Sequence, residues 1–478
     1  MSRILILIVV SFSLTFKAQP PTCFFTSFGS SGEDAGYSVI QVMDKNYVIA
    51  GSSSGNFLNG TDVYLTKLDT MGNIIWQAFY GGTGNEVAKS IIELPDSGYV
   101  FAGLTNSFGA GGYDAYIGRV NKRGKVIWQT TFGGLSWDFA NDLVLGSDGK
   151  IYVVGYTESF GSGKRDGFIV KYDLSGNLIW QKFIGGVEDD ELKSVIVTND
   201  NFLATVGKIS TKDVNGDIYF QKFDSNGDTI WTKTIGGVGT DYGNDIVQKV
   251  TNNYVIGGAR TFTVSPYTQS YMFSMSATGL PTWENYYNSS NGDEEIVAVT
   301  NSYQDPDYTA YLRNVPVPAF KTQGNIFVGR YGGWAVKVNS YGGSDEENFY
   351  SLIGIKDGGY LSVGRTSSFS LGGNDVFFIK LDSTVIKYSN VVSTKEIEKD
   401  NRIRLLKKAA KVFQVQGDFK NNQTLCYSVF EVEGRLLKSG KLEDATSIID
   451  LNELRAGYLL LGITLEDGSR VFFKLINE

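Results

Sequence analysis

The 478-residue chain contains no histidine. That removes Ser-His-Asp and Cys-His catalysis, histidine acid–base work and histidine-ligated zinc. Its two cysteines, Cys23 and Cys426, are too few for a Cys₄ metal site or a disulfide framework, and they lie in different parts of the chain. Only 8 prolines are present, so neither a collagen-like chain nor a Pro-rich linker is in question. A phosphate-cradling loop is missing as well, since Gly-rich pieces such as Gly109-Ala110-Gly111-Gly112 precede a strand pattern rather than a helix. Beyond the first 18 residues, no apolar run approaches the ~20 residues that a membrane-spanning helix needs. Basic charge is scarce in the body. Residues 19–390 hold 27 Lys+Arg against 38 Asp+Glu. An acidic body disfavours nucleic acid and anionic membrane as partners.

Glycine is plentiful, with 57 residues, and aromatics make up 13 % of the chain, ample material for a core. The chain starts with Met1-Ser2-Arg3, an apolar run from Ile4 to Phe16, and Lys17-Ala18. A basic start, a short apolar run and a small residue predict a secretory signal over residues 1–18.

From there the sequence repeats. Gly-Gly pairs or their degenerate forms begin at Gly29, Gly81, Gly133, Gly185, Gly236, Asn288 and Gly342. Trp76, Trp128, Trp180, Trp231 and Trp283 each lie five residues before the next start. Each unit reads as four short strands separated by turns such as Pro95-Asp96-Ser97-Gly98 and Asp173-Leu174-Ser175-Gly176-Asn177. One unit cannot bury its own faces. Four-stranded units of ~52 residues, repeated seven times, predict an all-β fold: a seven-bladed β-propeller over residues 19–390. The stretch Thr22 to Phe28 reads as a lone fourth strand that completes the last blade and closes the ring. In the sixth unit Pro316 and Pro318 interrupt the pattern. There Trp334 to Val338 reads as a third strand, with no normal fourth.

The composition changes after Asn390. Residues 391–404 read as a linker inside a charged, Gly-poor segment, exposed or briefly helical. Residues 405–478 read as a small β-sandwich domain with Ig-like character.

The repeats carry one constellation of acids. Five residues after each unit start stands Asp34, Glu86, Asp138, Asp190, Asp241, Asp293 or Glu347. In a propeller that position joins one blade's outer strand to the next blade's inner strand, so the acids are expected to ring the channel on one face. A second set, Asp62, Asp114, Asp166, Asp217 and Asp375, begins third strands on the same face. One reading is structural, each carboxylate accepting backbone N–H groups identically in every blade. The other makes them a calcium site or a polar glycan-binding rim. Asp213-Val214-Asn215-Gly216-Asp217 is a fragment of a calcium loop without its distal Glu. Trp137 stands outside the tryptophan rule, beside Asp138, where an exposed indole would stack on a sugar ring.

The recurring Gly-Gly…Asp…Asp-Gly-Gly-Tyr…Ser-Phe-Gly…Gly-Asn…Trp pattern resembles the secreted bacterial β-propeller repeat proteins. The tail resembles the C-terminal sorting domain of the type IX secretion system. The matching residues are Gly434 and Arg435, then Asp450, Leu451, Leu454, Gly457 and Tyr458, and finally Lys474 in a basic-apolar ending. That resemblance implies recognition by the type IX secretion machinery and export through the periplasm and outer membrane, to the cell surface or beyond. The expected function is a non-catalytic binding or adhesion propeller for a glycan or protein, with no cofactor. The alternatives are a carboxylate-dependent polysaccharide hydrolase or lyase, and a structural surface-layer component.

Overall fold

The computed structural model describes residues 24–381 and 403–477. It leaves out 56–59, 211–214, 238, 263–266, 288–291, 304–307, 318–319, 331–334, 342–344, 371–372, 410–411, 418–424, 432–435, 443–447, 452–456 and 465–469. Between 315 and 344, and over most of the tail, it describes the backbone alone. The expected signal segment, Cys23, Trp334, most of the linker and the start of the calcium-loop fragment lie outside the described residues.

Every described regular element is a β-strand. Six sheets each use four consecutive antiparallel strands. The first comprises Asp34–Gln41, Tyr47–Ser53, Asp62–Leu68 and Ile74–Tyr80. The others open with strands beginning at Glu86, Asp138, Glu191, Tyr242 and Glu295. A further four-stranded sheet is composite. Glu347–Gly354, Tyr360–Thr366 and Asp375–Leu381 pair in series, and Phe24–Phe28 adds to the last of them, from Phe24 opposite Lys380 to Phe28 opposite Val376. Each opening strand packs against that of the next sheet, and Glu347–Gly354 packs on Asp34–Gln41. The chain forms a β-propeller of repeated four-stranded blades.

Burial explains the weak alternation of the strands. Tyr47–Ser53 and Asp62–Leu68 are buried at every position, because each face lies against another blade. The outer strand Ile74–Tyr80 is only partly buried. Cores lie between blades: Val48, Ala50 and Leu65 of one blade pack with Ala88, Tyr99 and Phe101 of the next. No blade owns a core, so the repeat folds only as an array.

Local chemistry sets the turns. Asp69 Oδ1 accepts the N–H groups of Met71 and Asn73 at 2.8 and 2.9 Å, and Gly72 takes φ +87°. Asp173 with Gly176 and Asp224 with Gly227 repeat this, each glycine in the left-handed region that a side chain disfavours. The first and second strands of each blade share a bulge at one position, for example between Ala88 and Ser90 and between Ala140 and Asp142.

The sixth blade corrects the expected strand assignment. Its second, third and fourth strands are Tyr308–Val317, Phe320–Arg330 and Ala335–Tyr341. The segment read as a third strand is therefore the fourth. The second and third strands run to 10 and 11 residues, carrying their hairpin past Pro316, where the ladder shifts between Val315 and Val317. A residue without an N–H fits an antiparallel ladder at such a shift.

In the tail, Ile403–Ala409, Val412–Gly417 and Ile448–Asp450 form one sheet. Leu436–Leu442, Leu425–Glu431, Gly457–Thr464 and Arg470–Asn477 form another. The strand Ile403–Ala409 begins at the end of the segment read as linker, whose residues before 403 lie outside the described ones. Among the described residues no helix is long and apolar enough to cross a membrane.

Candidate functional site

Six of the seven acids five residues after the unit starts, all but Asp293, are buried, and their hydrogen bonds explain the spacing. Asp138 Oδ2 accepts the Gly134 N–H at 2.8 Å and the Ser159 hydroxyl at 2.6 Å, while its Oδ1 accepts the Thr157 hydroxyl. Glu86 accepts the Gly82 N–H at 2.8 Å, the Thr105 hydroxyl at 2.6 Å and the Ser107 N–H at 3.2 Å. Asp190 takes the N–H groups of Gly186 and Ser210 at 2.7 and 2.5 Å, and Asp241 those of Gly237 and Thr261 at 2.9 and 2.8 Å. Asp34 accepts the Ser30 N–H and hydroxyl, and Glu347 the Thr366 hydroxyl and Ser368 N–H. In the first five junctions the carboxylate reaches back four residues to the amide after the first glycine, a local latch repeated blade by blade.

The sixth blade departs from the pattern. Asp293 is not its latch residue: its Oδ1 accepts the exposed N–H of Thr268. The buried acid there is Glu294, which stands in ion-pair distance of Arg313, 3.4 Å. Its N–H donates to the Thr268 carbonyl, as the Glu86 N–H does to Thr61 and the Asp138 N–H to Tyr113. One extra residue after Asn288 moves the acid from five to six places on, and a one-residue slip turns its neighbour to the other side.

In the described Gly29, Gly81, Gly133, Gly185 and Gly236 loops, the first glycine lies between two carboxylates. A Cβ on Gly133 would stand 2.2 Å from Asp114 Oδ1 and 2.6 Å from Asp138 Oδ2. Gly81 sits likewise between Asp62 and Glu86, Gly185 between Asp166 and Asp190, and Gly236 between Asp217 and Asp241. The two sets of acids thus meet in pairs at the blade junctions, beneath the Gly-Gly loops. Burial, then the neighbouring acid, pushes up the carboxyls of Asp62, Asp114, Asp190 and Asp241, against the N–H donors where these are present.

Two further acids went unnoticed in the sequence. Asp142 and Asp245 follow the bulge in their opening strands and bridge three blades each. Asp142 accepts the Ser90 hydroxyl at 2.7 Å and the Val195 N–H at 2.9 Å; Asp245 accepts the Ser194 hydroxyl and the Val299 N–H, both at 2.9 Å. Burial raises both, and Asp245, also facing the Asp142 charge, is pushed up to about 7.

On the opposite face, a buried or half-buried third-strand cation meets an acid in the first turn of the same blade. The pairs are Lys67–Asp44, Arg119–Asp96, Lys171–Asp148, Lys222–Asp200 and Lys380–Asp357, at 2.6, 2.6, 2.8, 2.6 and 2.9 Å. The signal was available, since each of these acids lies ten residues after a latch acid.

Trp137 is 49 % exposed on the acid-bearing face. Its ring lies parallel to Phe139 at 6.1 Å and edge-on to Tyr113 at 5.9 Å. Phe139 in turn contacts Tyr156, over whose ring the Arg165 guanidinium sits at 4.9 Å. Leu135 and Val187 beside them are 86 % and 71 % exposed. A shallow cavity of about 390 Å³ adjoins, lined by Ser136, Glu158, Gly163, Lys164, Arg165 and Asp189. At the Trp137 position other blades carry Glu33, Asn85, Asp189, Thr240 and Glu346. One junction therefore combines an aromatic platform with a charged cleft.

Of the tail residues, Gly434, Arg435 and Leu454 lie outside the described residues. Asp450 is exposed, its carbonyl accepting the Lys438 ammonium at 2.8 Å, and Leu451 is buried. Tyr458 stands opposite Ile476, and Leu460 opposite Lys474, in the second tail sheet.

No protein-family model matches the chain. Over 195 residues it is 26 % identical to the regulatory protein FlaEY of Caulobacter vibrioides, a match covering 35 % of this chain and 20 % of that protein. The chain thus spans about a fifth of that relative's length. Among solved structures, puromycin hydrolase is similar at a TM-score of 0.50 and 10 % identity, over 74 % of this chain and 53 % of that one. A GH93 α-L-arabinofuranosidase of Fusarium graminearum, in complex with arabinobiose, is similar at a TM-score of 0.46 and 10 % identity, over 65 % and 98 %. At such identity the puromycin hydrolase likeness speaks to the propeller fold alone.

Proposed function

We propose that this chain is an exported, non-catalytic propeller of seven blades that binds a glycan on its acid-bearing face. The leader at 1–18 and the sorting tail at 405–478 deliver it through the type IX machinery to the cell surface or medium. The observation that carries the binding reading is the platform of Trp137 on Phe139 beside the Arg165 cleft. Sugars present an apolar ring face and a rim of hydroxyls, which an indole and a charged cleft match. The competing hydrolase reading needs two carboxylates open to substrate. The paired acids here are buried under glycine loops and engaged by N–H and hydroxyl donors. Trp137→Ala should abolish retention on a glycan array while leaving the melting temperature of the propeller within about a degree. Unchanged binding, or a blank array for the unmodified protein, would sink this reading.

The latch acids are taken to work without a cation. Asp190→Asn should cost roughly 1–3 kcal/mol through weakened charge-assisted bonds, and a chelator should leave the melting temperature where it was. A calcium-dependent rise of several degrees, lost in Asp190→Asn, would show that the acids hold the ion instead.

A further inference from the structure

The bulge that the blades share re-aims one residue of every opening strand. Between the first and second strands the ladder skips Tyr37, Lys89, Asn141, Lys193, Asn244 or Tyr350, and an apolar residue in the blade opened by Glu295. A bulge takes its extra side chain out of the ladder and turns it elsewhere. Here it turns to the inside of the ring, because the opening strands are innermost and pack on one another. The skipped residues meet across the junctions. Asn141 Nδ2 donates to Glu191 Oε1 at 2.8 Å and to the Leu192 carbonyl at 2.9 Å. Asn244 Nδ2 repeats this with Glu295 and the Ile296 carbonyl, at 2.9 and 3.0 Å. Lys193 pairs with Glu191 at 2.9 Å, and the Tyr37 and Tyr350 rings lie 4.8 Å apart.

Lys89 finds no such partner. Asn141 and Asn244 reach a glutamate one residue after the next blade's buried acid: Glu191 after Asp190, and Glu295 after Glu294. The same position in the blade after Lys89 holds Phe139, which has no acceptor in its side chain. Among the described residues the Lys89 ammonium makes no hydrogen bond and no ion pair. It lies over the Tyr37 ring, 5.6 Å from the centre. The side chain is half-buried, yet its nitrogen is not sealed from the channel. Burial, then the Lys193 charge, pulls the ammonium below the ordinary lysine value, and Glu191 offsets them only in part. Glu191 is itself divided between Lys193 and Asn141, and Glu295 is held by Asn244 and the Tyr242 hydroxyl.

A partly desolvated ammonium whose expected carboxylate is replaced by a phenyl ring is short of one negative charge. We propose that Lys89 holds a small singly charged anion in the channel, a halide or a short carboxylate, with the Lys193 charge as a second attraction. A doubly charged anion would bring one charge too many beside Glu191. The site stands whether or not Trp137 binds a sugar.

In sodium chloride, ³⁵Cl NMR of the full chain should show line broadening from exchange with the bound ion. Sodium formate at constant ionic strength should compete that broadening away, and sodium sulfate should not. Lys89→Gln should weaken the formate-sensitive binding at least tenfold. Lys122→Gln, an exposed change with the same loss of charge, should leave it as it was. Melting temperatures check that both variants are folded. No formate-sensitive broadening in the unmodified chain would overturn the proposal, and so would its persistence in Lys89→Gln. An equal loss in Lys122→Gln would reduce the effect to net charge and overturn the site. Sulfate competing better than formate would overturn the single-charge assignment.

Discussion

Gly103→Ala should destabilise the propeller by on the order of 3–5 kcal/mol. A Cβ on Gly103 would stand 1.8 Å from the Val87 carbonyl oxygen, 2.9 Å from its carbon and 3.0 Å from the Ala88 Cα. All three are backbone atoms, so no side chain can swing aside to make room. The opening strand is fixed there by its ladder to Tyr99–Thr105 and by the next blade behind it. Gly51, Gly155 and Gly207 meet the carbonyls of Ala35, Phe139 and Glu191 at 1.8, 1.9 and 2.0 Å, so the same cost is expected in each of those blades. Gly149→Ala is the control. Its glycine has φ +70° but nothing within 4 Å, so only the left-handed backbone is penalised, at about 1 kcal/mol. Urea unfolding of both variants checks the contrast. A Gly103→Ala loss under about 1 kcal/mol would mean that the two strands can part without consequence.

The same contact shows what the sequence could reveal. Interactions that close within a few residues left a period in the text. The latch spans four residues from Gly134 to Asp138, so the acid had to recur at a fixed distance from the glycine pair, and the repeat could be read from either. The stretch Thr22 to Phe28, read as a lone fourth strand, contains the strand Phe24–Phe28 that pairs with Asp375–Leu381. Interactions that close through space left weaker traces. Lys67 and Asp44 are 23 residues apart: the acid recurs ten residues after each latch acid, but which cation it meets is visible only once the strands between them are folded back. Asp142 and Asp245 sit where other blades have Ser38, Ser90, Ser194 or Ser351, so they read as isolated substitutions until three blades are brought round them. The sixth blade misled because a single added residue after Asn288 puts Glu294 where the latch acid falls in other blades, and spacing alone cannot say which of two adjacent acids turns inward.

The propeller should gain stability as pH falls from about 8 to about 5. Asp62, Asp114, Asp190, Asp241, Asp142 and Asp245 all have folded pKa values raised, first by burial. A raised acid binds more protons folded than unfolded, so its contribution is full below the unfolded pKa and is lost as pH rises through the folded one. Asp245, pushed up to about 7, sets the upper edge of that window. Asp44, Asp96, Asp148 and Asp200 act in the opposite sense: despite partial burial, hydrogen bonds from backbone amides and from Lys67, Arg119, Lys171 and Lys222 hold them low. Their contribution is lost only when pH drops through those depressed values, below the ordinary carboxylate range. Stability should therefore peak in mildly acidic solution, with a rise on the order of 2–4 kcal/mol from Asp245 alone between about pH 8 and pH 5. Asp245→Asn removes the titrating group while keeping an oxygen for the Ser194 hydroxyl and the Ile246 N–H, so it should flatten the slope above pH 5 more than it shifts the whole curve. Melting temperatures of both proteins across that range decide the matter. A melting temperature that is level or falls on acidification to pH 5, or an unchanged slope in the variant, would show that Asp245 stays ionised and that its three donors outweigh its burial.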